Sequence, residues 1–112
     1  MSSIGGIKPE LNIGIYAISK ASIIMATKVM AKEWAQYNIR VNAIAPGLVH
    51  TRFSDSYFSI APEIREELLE KTPMRRIAEP DEIVGTMIFL ASDASSFMTG
   101  ETLVVDGGTL LI

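Results

Sequence analysis

Apolar and polar positions change rhythm several times along the chain, and each change marks an element. Ser2 to Gly14, "SSIGGIKPELNIG", is loop chemistry, with glycines, a proline and Asn12. From about Ile15 to Tyr37 there is no Gly or Pro, and Ala17, Ala21, Ala26, Ala31 and Ala35 favour a long helix. Its first half is apolar on nearly every side, and Lys28, Lys32 and Glu33 gather in the second half. Such a helix needs cover on more than one face, from a sheet and neighbours or from a second subunit. Asn38 suits a left-handed helix end. "IRVNAIAP", Ile39 to Pro46, follows as a short buried strand.

"GLVHTRFSDSYFSIAP" is expected to be a loop or mobile segment with exposed aromatics. Phe53, Tyr57 and Phe58 there either line a pocket or pack a lid. Glu63 to Lys71 is a short amphipathic helix, with Pro62 and Glu63 at its start and Lys71 at its end. The acidic run "EELLE" within it reads as a solvated face. Pro80 opens another helix, with Asp81 and Glu82 in its first turn, ending near Ala91. Glu101 to Gly108, "ETLVVDGG", is a buried strand closed by a glycine turn. The last strand proper covers about residues 101–106.

Strands alternating with helices imply an α/β layered fold with a mostly parallel sheet. Two strands are too few for a parallel sheet covered on both faces. The pattern is therefore that of part of a larger doubly wound sheet, a single partial domain over residues 1–112.

Composition narrows the function. The chain is 48% hydrophobic and 21% charged, as folded globular chains are. Net charge is −3 with no basic stripe, which argues against nucleic acid as a partner. There is no cysteine and only one histidine, His50, so disulfides are excluded and a protein-held metal is not expected. His50 is read as a loop residue. No apolar run is long enough to span a bilayer, and the first residues do not read as a signal peptide. The default is a soluble, cytoplasmic protein without a membrane partner.

The candidate chemistry is "IYAISKAS". Tyr16 and Lys20 stand four residues apart, one turn along the same helix face. A phenol is a poor acid or base at neutral pH, and a neighbouring ammonium favours its phenolate form. That combination suits general acid–base work. Alone the spacing is a weak signal, because both side chains can simply reach water from a helix.

Context gives it weight. "SSIGG", "YAISK", "NIRVNAIAPG", "FLASD-AS" and "TGETLVVDGG" occur in an order and spacing that resembles the C-terminal half of the classical short-chain dehydrogenase/reductase family, over essentially all 112 residues. The look is nearest to carbonyl reductases of the dehydrogenase/reductase member 4 type. It is also near 3-oxoacyl-carrier-protein reductase-like and glucose dehydrogenase-like members. The resemblance implies a Rossmann-type doubly wound sheet without its N-terminal nucleotide-binding strands. It implies an NAD(P)-dependent oxidoreductase interconverting a small-molecule carbonyl and its alcohol.

By the same resemblance, Ser3, Tyr16 and Lys20 are the catalytic residues. Tyr16 exchanges the proton, Lys20 assists it and binds the nicotinamide ribose, and Ser3 bonds the substrate carbonyl. Pro46, Gly47, Val49 and Thr51 join Tyr16 and Lys20 in holding NADP or NAD. Residues of about 53–73 form the substrate lid, and the long helix of about 15–37 forms a homo-oligomer interface. The Gly-rich turn that takes a dinucleotide pyrophosphate is not in this sequence. The alternative is therefore an inactive truncated remnant or interaction fragment, with Ser3 an inert terminal residue and Thr51 a simple cap.

Overall fold

A computed structural model describes residues 1–111. Helix α1, Gly14–Trp34, is followed by a 3-10 turn, Ala35–Tyr37, and ends where Asn38 takes φ 64° in the left-handed region. Strand β1 is Ala43–Pro46. Helices α2, Arg52–Ile60, and α3, Pro62–Glu70, form a helical pair. Helix α4 is Pro80–Ala91, and strand β2 is Thr102–Val105. The two strands pair in parallel, from Ala43 opposite Thr102 to Pro46 opposite Val105.

β1 is the centre of the core. All four of its residues are buried, whereas β2 is half exposed. The Ser2 N–H donates to the Ile44 carbonyl at 2.8 Å, so the first residues lie along the edge of β1 that β2 does not use. Ile44 and Ala45, which point to opposite faces of β1, are buried, as are Ala31 of α1 and Ile83 of α4.

The strand expected from Ile39 begins only at Ala43, because side chains take over the pairing before it. Arg40 sends Nη2 to the carbonyls of Leu90 (2.9 Å) and Ser92 (3.3 Å). Its Nη1 reaches Ser95 Oγ (3.0 Å) and the Met98 carbonyl (3.3 Å). One guanidinium thus satisfies the acceptors left at the end of α4. Asn42 bonds the Met98 carbonyl and the Glu101 N–H, and Thr99 Oγ1 accepts from Val41.

The expected loop after Gly47 is instead mostly helix. Thr51 Oγ1 accepts from Ser54 N–H at 3.2 Å, and Ser54 Oγ accepts from Thr51 N–H at 2.9 Å. This reciprocal cap satisfies free donors at the start of α2. Ser54 and Phe58, one turn apart, are its buried side chains. Phe53 stays exposed and Tyr57 meets Phe58 edge-on.

Helix α4 starts as its proline and acids predict. Glu82 takes two hydrogen bonds from Arg76, at 2.6 and 2.7 Å, and one from the Glu79 N–H at 2.8 Å. These bonds, Arg76 first, hold its carboxyl down at about 2. No helix among the described residues is long and apolar enough to cross a membrane.

Candidate active site

Three segments build the site: the turn after Ser3, the first turns of α1, and the loop leaving β1. Ser3 caps the 3-10 turn Ile4–Gly6, its Oγ accepting from Gly5 N–H at 3.2 Å. The turn is pinned to α1 from both ends. Ser2 Oγ donates to the Lys20 carbonyl at 2.7 Å. Gly6 lies so close to α1 that a Cβ there would fall 2.6 Å from the Lys20 carbonyl carbon and 2.8 Å from the Ala21 nitrogen. Only glycine allows that approach.

This docking brings Ser3 toward Tyr16. A Cβ placed on Gly5 would sit 3.7 Å from Ser3 Oγ and 3.4 Å from Tyr16 Cε1, so both side chains flank one point. Tyr16 is 40% exposed. Lys20 Nζ lies 5.4 Å from the Tyr16 ring centroid, within cation–π range. Among the described residues neither the Tyr16 hydroxyl nor the Lys20 ammonium has a hydrogen-bond partner. A proton donor and a three-donor cation thus face the same side of α1, free to meet a ligand.

The loop from β1 is fixed at its base. Gly47 N–H donates to the Val105 carbonyl at 2.9 Å, and a Cβ on Gly47 would lie 2.8 Å from Asp106 Cα. Pro46, buried at the end of β1, precedes it. Val49 then forms a one-residue parallel bridge with Ala78, made by Ala78 N–H to Leu48 O (3.0 Å) and His50 N–H to Ala78 O (2.8 Å). Because the neighbours make both bonds, Val49's own N–H and C=O are unpaired among the described residues. Together they match an amide group donor to acceptor. Thr51 is occupied as the α2 cap, with its hydroxyl 3.4 Å from Ser54 Oγ. The far end of the α2–α3 pair is tied to the turn after β2: Thr72 Oγ1 is 3.2 Å from Thr109 Oγ1, and Met74 N–H donates to Gly107 O at 3.2 Å.

The family profile described as Enoyl-(Acyl carrier protein) reductase matches residues 1–109. The chain belongs to the short-chain dehydrogenase/reductase family. A D-arabinitol 2-dehydrogenase (ribulose-forming) from Candida tropicalis is 48% identical over 95 residues, covering 84% of this chain and 34% of that protein. A 3-oxoacyl-[acyl-carrier-protein] reductase from Thermotoga maritima is 40% identical over 111 residues, covering 99% of this chain and 44% of that one. A Beutenbergia cavernae structure with NADP bound at low occupancy, assigned as an NAD(P)-dependent gluconate 5-dehydrogenase, superposes with TM-score 0.93 at 37% identity. That match covers 99% of this chain and 44% of the other. The chain therefore spans a third to under half of the length of these short-chain dehydrogenase/reductase relatives.

The expected fold, a portion of a Rossmann-type doubly wound sheet, is the observed one. Of the residues singled out by motif, the structure gathers Ser3, Tyr16 and Lys20 at one place. It strings Pro46, Gly47, Val49 and Thr51 along a single loop. The sequence reading missed Ser2 and Gly6, which dock the serine turn on α1. It also missed His50 as a contact. A serine and a glycine flanking Ser3 were the available signal, since a turn that must lie on a helix needs a small residue there. Among the described residues no group of three or more His, Asp or Glu side chains is placed to hold a metal.

Proposed function

We propose that these residues serve an NAD(P)-dependent oxidoreductase that interconverts a small-molecule carbonyl and its alcohol. The convergence of Ser3 and Tyr16 on Gly5, with Lys20 beside the phenol ring, carries this reading. Bound NAD or NADP supplies or takes the hydride at the carbonyl carbon. In reduction, Tyr16 gives its hydroxyl proton to the carbonyl oxygen, so hydride and proton together complete the alcohol. In oxidation, the phenolate takes that proton back. Ser3 Oγ donates to the same oxygen and steadies the charge that develops there. Lys20 stands beside the phenol ring and offers its donors to ribose hydroxyls.

The residues present fit the nicotinamide end of the cofactor. Val49's unpaired N–H and C=O suit a carboxamide, and Pro46 and Gly47 hold that loop against the end of β2. Thr51 contributes through its backbone position, because its hydroxyl accepts from the Ser54 N–H and donates to Ser54 Oγ. Residues of about 53–73, the helical pair α2 and α3, act as the substrate lid. The test is a titration of the purified chain with NADPH and NADH, read by nicotinamide fluorescence. A saturable change with either is expected. No saturable signal with both would instead favour the second reading, a chain that does not hold a dinucleotide by itself. That reading draws on the missing Gly-rich strand–turn–helix motif.

The same reading includes self-association through α1. Ile15 is 87% exposed and Ile18 72%, and Met25 and Val29 continue the apolar surface. A helix apolar on this side is expected to be covered in solution. Sedimentation velocity is expected to show a dimer or larger species that Ile18→Glu weakens. A wild-type chain that stays monomeric at every concentration would refute the interface.

A further inference from the structure

The single histidine lies where three elements meet. His50 donates its backbone N–H to Ala78 O at 2.8 Å. Its Nε2 is 2.9 Å from Asp55 Oδ1 in α2, and its Nδ1 is 3.6 Å from Glu79 Oε1, at the residue before α4. Both ring nitrogens therefore face carboxylates, from two different helices. The surroundings form a cleft of about 550 Å³. Its other charged groups are Arg65 of α3 and Arg75 and Arg76 of the connection before α4. Arg65 is paired with Glu66, and Arg76 with Glu82.

A neutral imidazole carries one N–H and can donate to only one of these acids. The imidazolium carries two, and its charge adds a longer ion pair to Glu79 beside the close contact with Asp55. We infer that His50 is a proton-dependent clamp that ties the start of α2 to the start of α4. It closes fully when the ring is protonated and is halved when the ring is neutral. Imidazoles commonly change state between about pH 5 and 8, so the clamp loosens within the physiological range as pH rises. The charged groups around the ring are thus these two carboxylates and three arginines. The groups are solvent-exposed, so the effect is that of surface ion pairs.

The consequence for function rests on the oxidoreductase reading. His50 stands between Val49 and Thr51, and Asp55 lies in the lid, so His50 is a positioning residue for both. The clamp itself is testable without cofactor. Amide hydrogen exchange of the purified chain, corrected for intrinsic rates, gives protection factors for Asp55 to Ser59. With α1 amides as the internal reference, protection is expected to fall about two- to five-fold from pH 5 to pH 8. Its midpoint should match that of the His50 ring resonances in the same sample. Glu79→Ala removes the second acceptor and keeps the Asp55 contact, and is expected to flatten the change. Flat protection in the wild type, or a midpoint apart from that of the ring, would overturn the clamp. So would an unchanged slope in Glu79→Ala. None of these outcomes bears on nicotinamide binding, so the clamp and the oxidoreductase reading can fail separately.

Discussion

For the proposed carbonyl reduction, replacing Tyr16 by Phe is expected to cut the rate by about 10²–10⁴-fold, the usual worth of a positioned general acid. The NADPH titration should stay where it is in the wild type. The change removes one oxygen and its proton and keeps the ring. That ring supports Lys20 through its face and lies against Gly5, so the loss should fall on chemistry rather than on folding. The hydroxyl has no partner among the described residues, so its removal strands no buried group. Steady-state rates and fluorescence titrations on the same preparation separate the two effects. Turnover that survived in Tyr16→Phe would refute proton transfer by this residue. A loss of turnover matched by a loss of cofactor binding would show that the phenol acts in binding instead.

Arg40→Ala is expected to be the most destabilising of the simple side-chain truncations, by about 2–4 kcal/mol. Its guanidinium serves three main-chain carbonyls and the nearly inaccessible Ser95 hydroxyl. Truncation removes the one group that joins these acceptors, leaving the Met98 carbonyl to Asn42 Nδ2, the Ser92 carbonyl to the Ser95 N–H, and the Leu90 carbonyl to the Ser95 hydroxyl alone. Arg40→Lys should recover only part of the loss, because one ammonium cannot reach acceptors spread over both edges of the planar fork. Urea unfolding followed by circular dichroism measures both variants. An Arg40→Ala midpoint equal to that of the wild type would show that water satisfies those carbonyls. In that case the residue would not organise this corner.

Where sequence patterns spoke through local chemistry, they were read directly. Pro80 with Asp81 and Glu82 announces the start of α4, and Asn38 adopts the left-handed turn its short amide side chain allows. The parallel pairing of β1 and β2 follows from two short apolar runs separated by helices. Helix α2 was harder to see. Its serines and aromatics resemble a loop, and its cap joins Thr51 to a serine rather than to the usual glutamate. The late start of β1 was hidden because Arg40 and Asn42 bond through side chains to partners at least 50 positions away. Within the candidate site, the helical spacing of Tyr16 and Lys20 was weak alone and gained weight only from the family motifs around it. Thr51 carries the cap weighed against its cofactor role. The double contact of His50 with Asp55 and Glu79 depends on how α2 and α4 are placed, and no local pattern encodes it.

The pairing of Ala43 with Thr102 has a consequence for how the chain folds. Every hydrogen bond between the strands joins positions more than half the chain apart. The turn at Ser3 and helix α1 are close in sequence, so Ser3, Tyr16 and Lys20 can meet early from local contacts. The sheet must instead await the whole intervening stretch, and closing so large a loop is slow. During synthesis β1 emerges long before its partner and spends that interval with its ladder groups open. The core strand of this protein is thus its longest-waiting element, and the interval before β2 emerges is when it is most open to pairing with other chains.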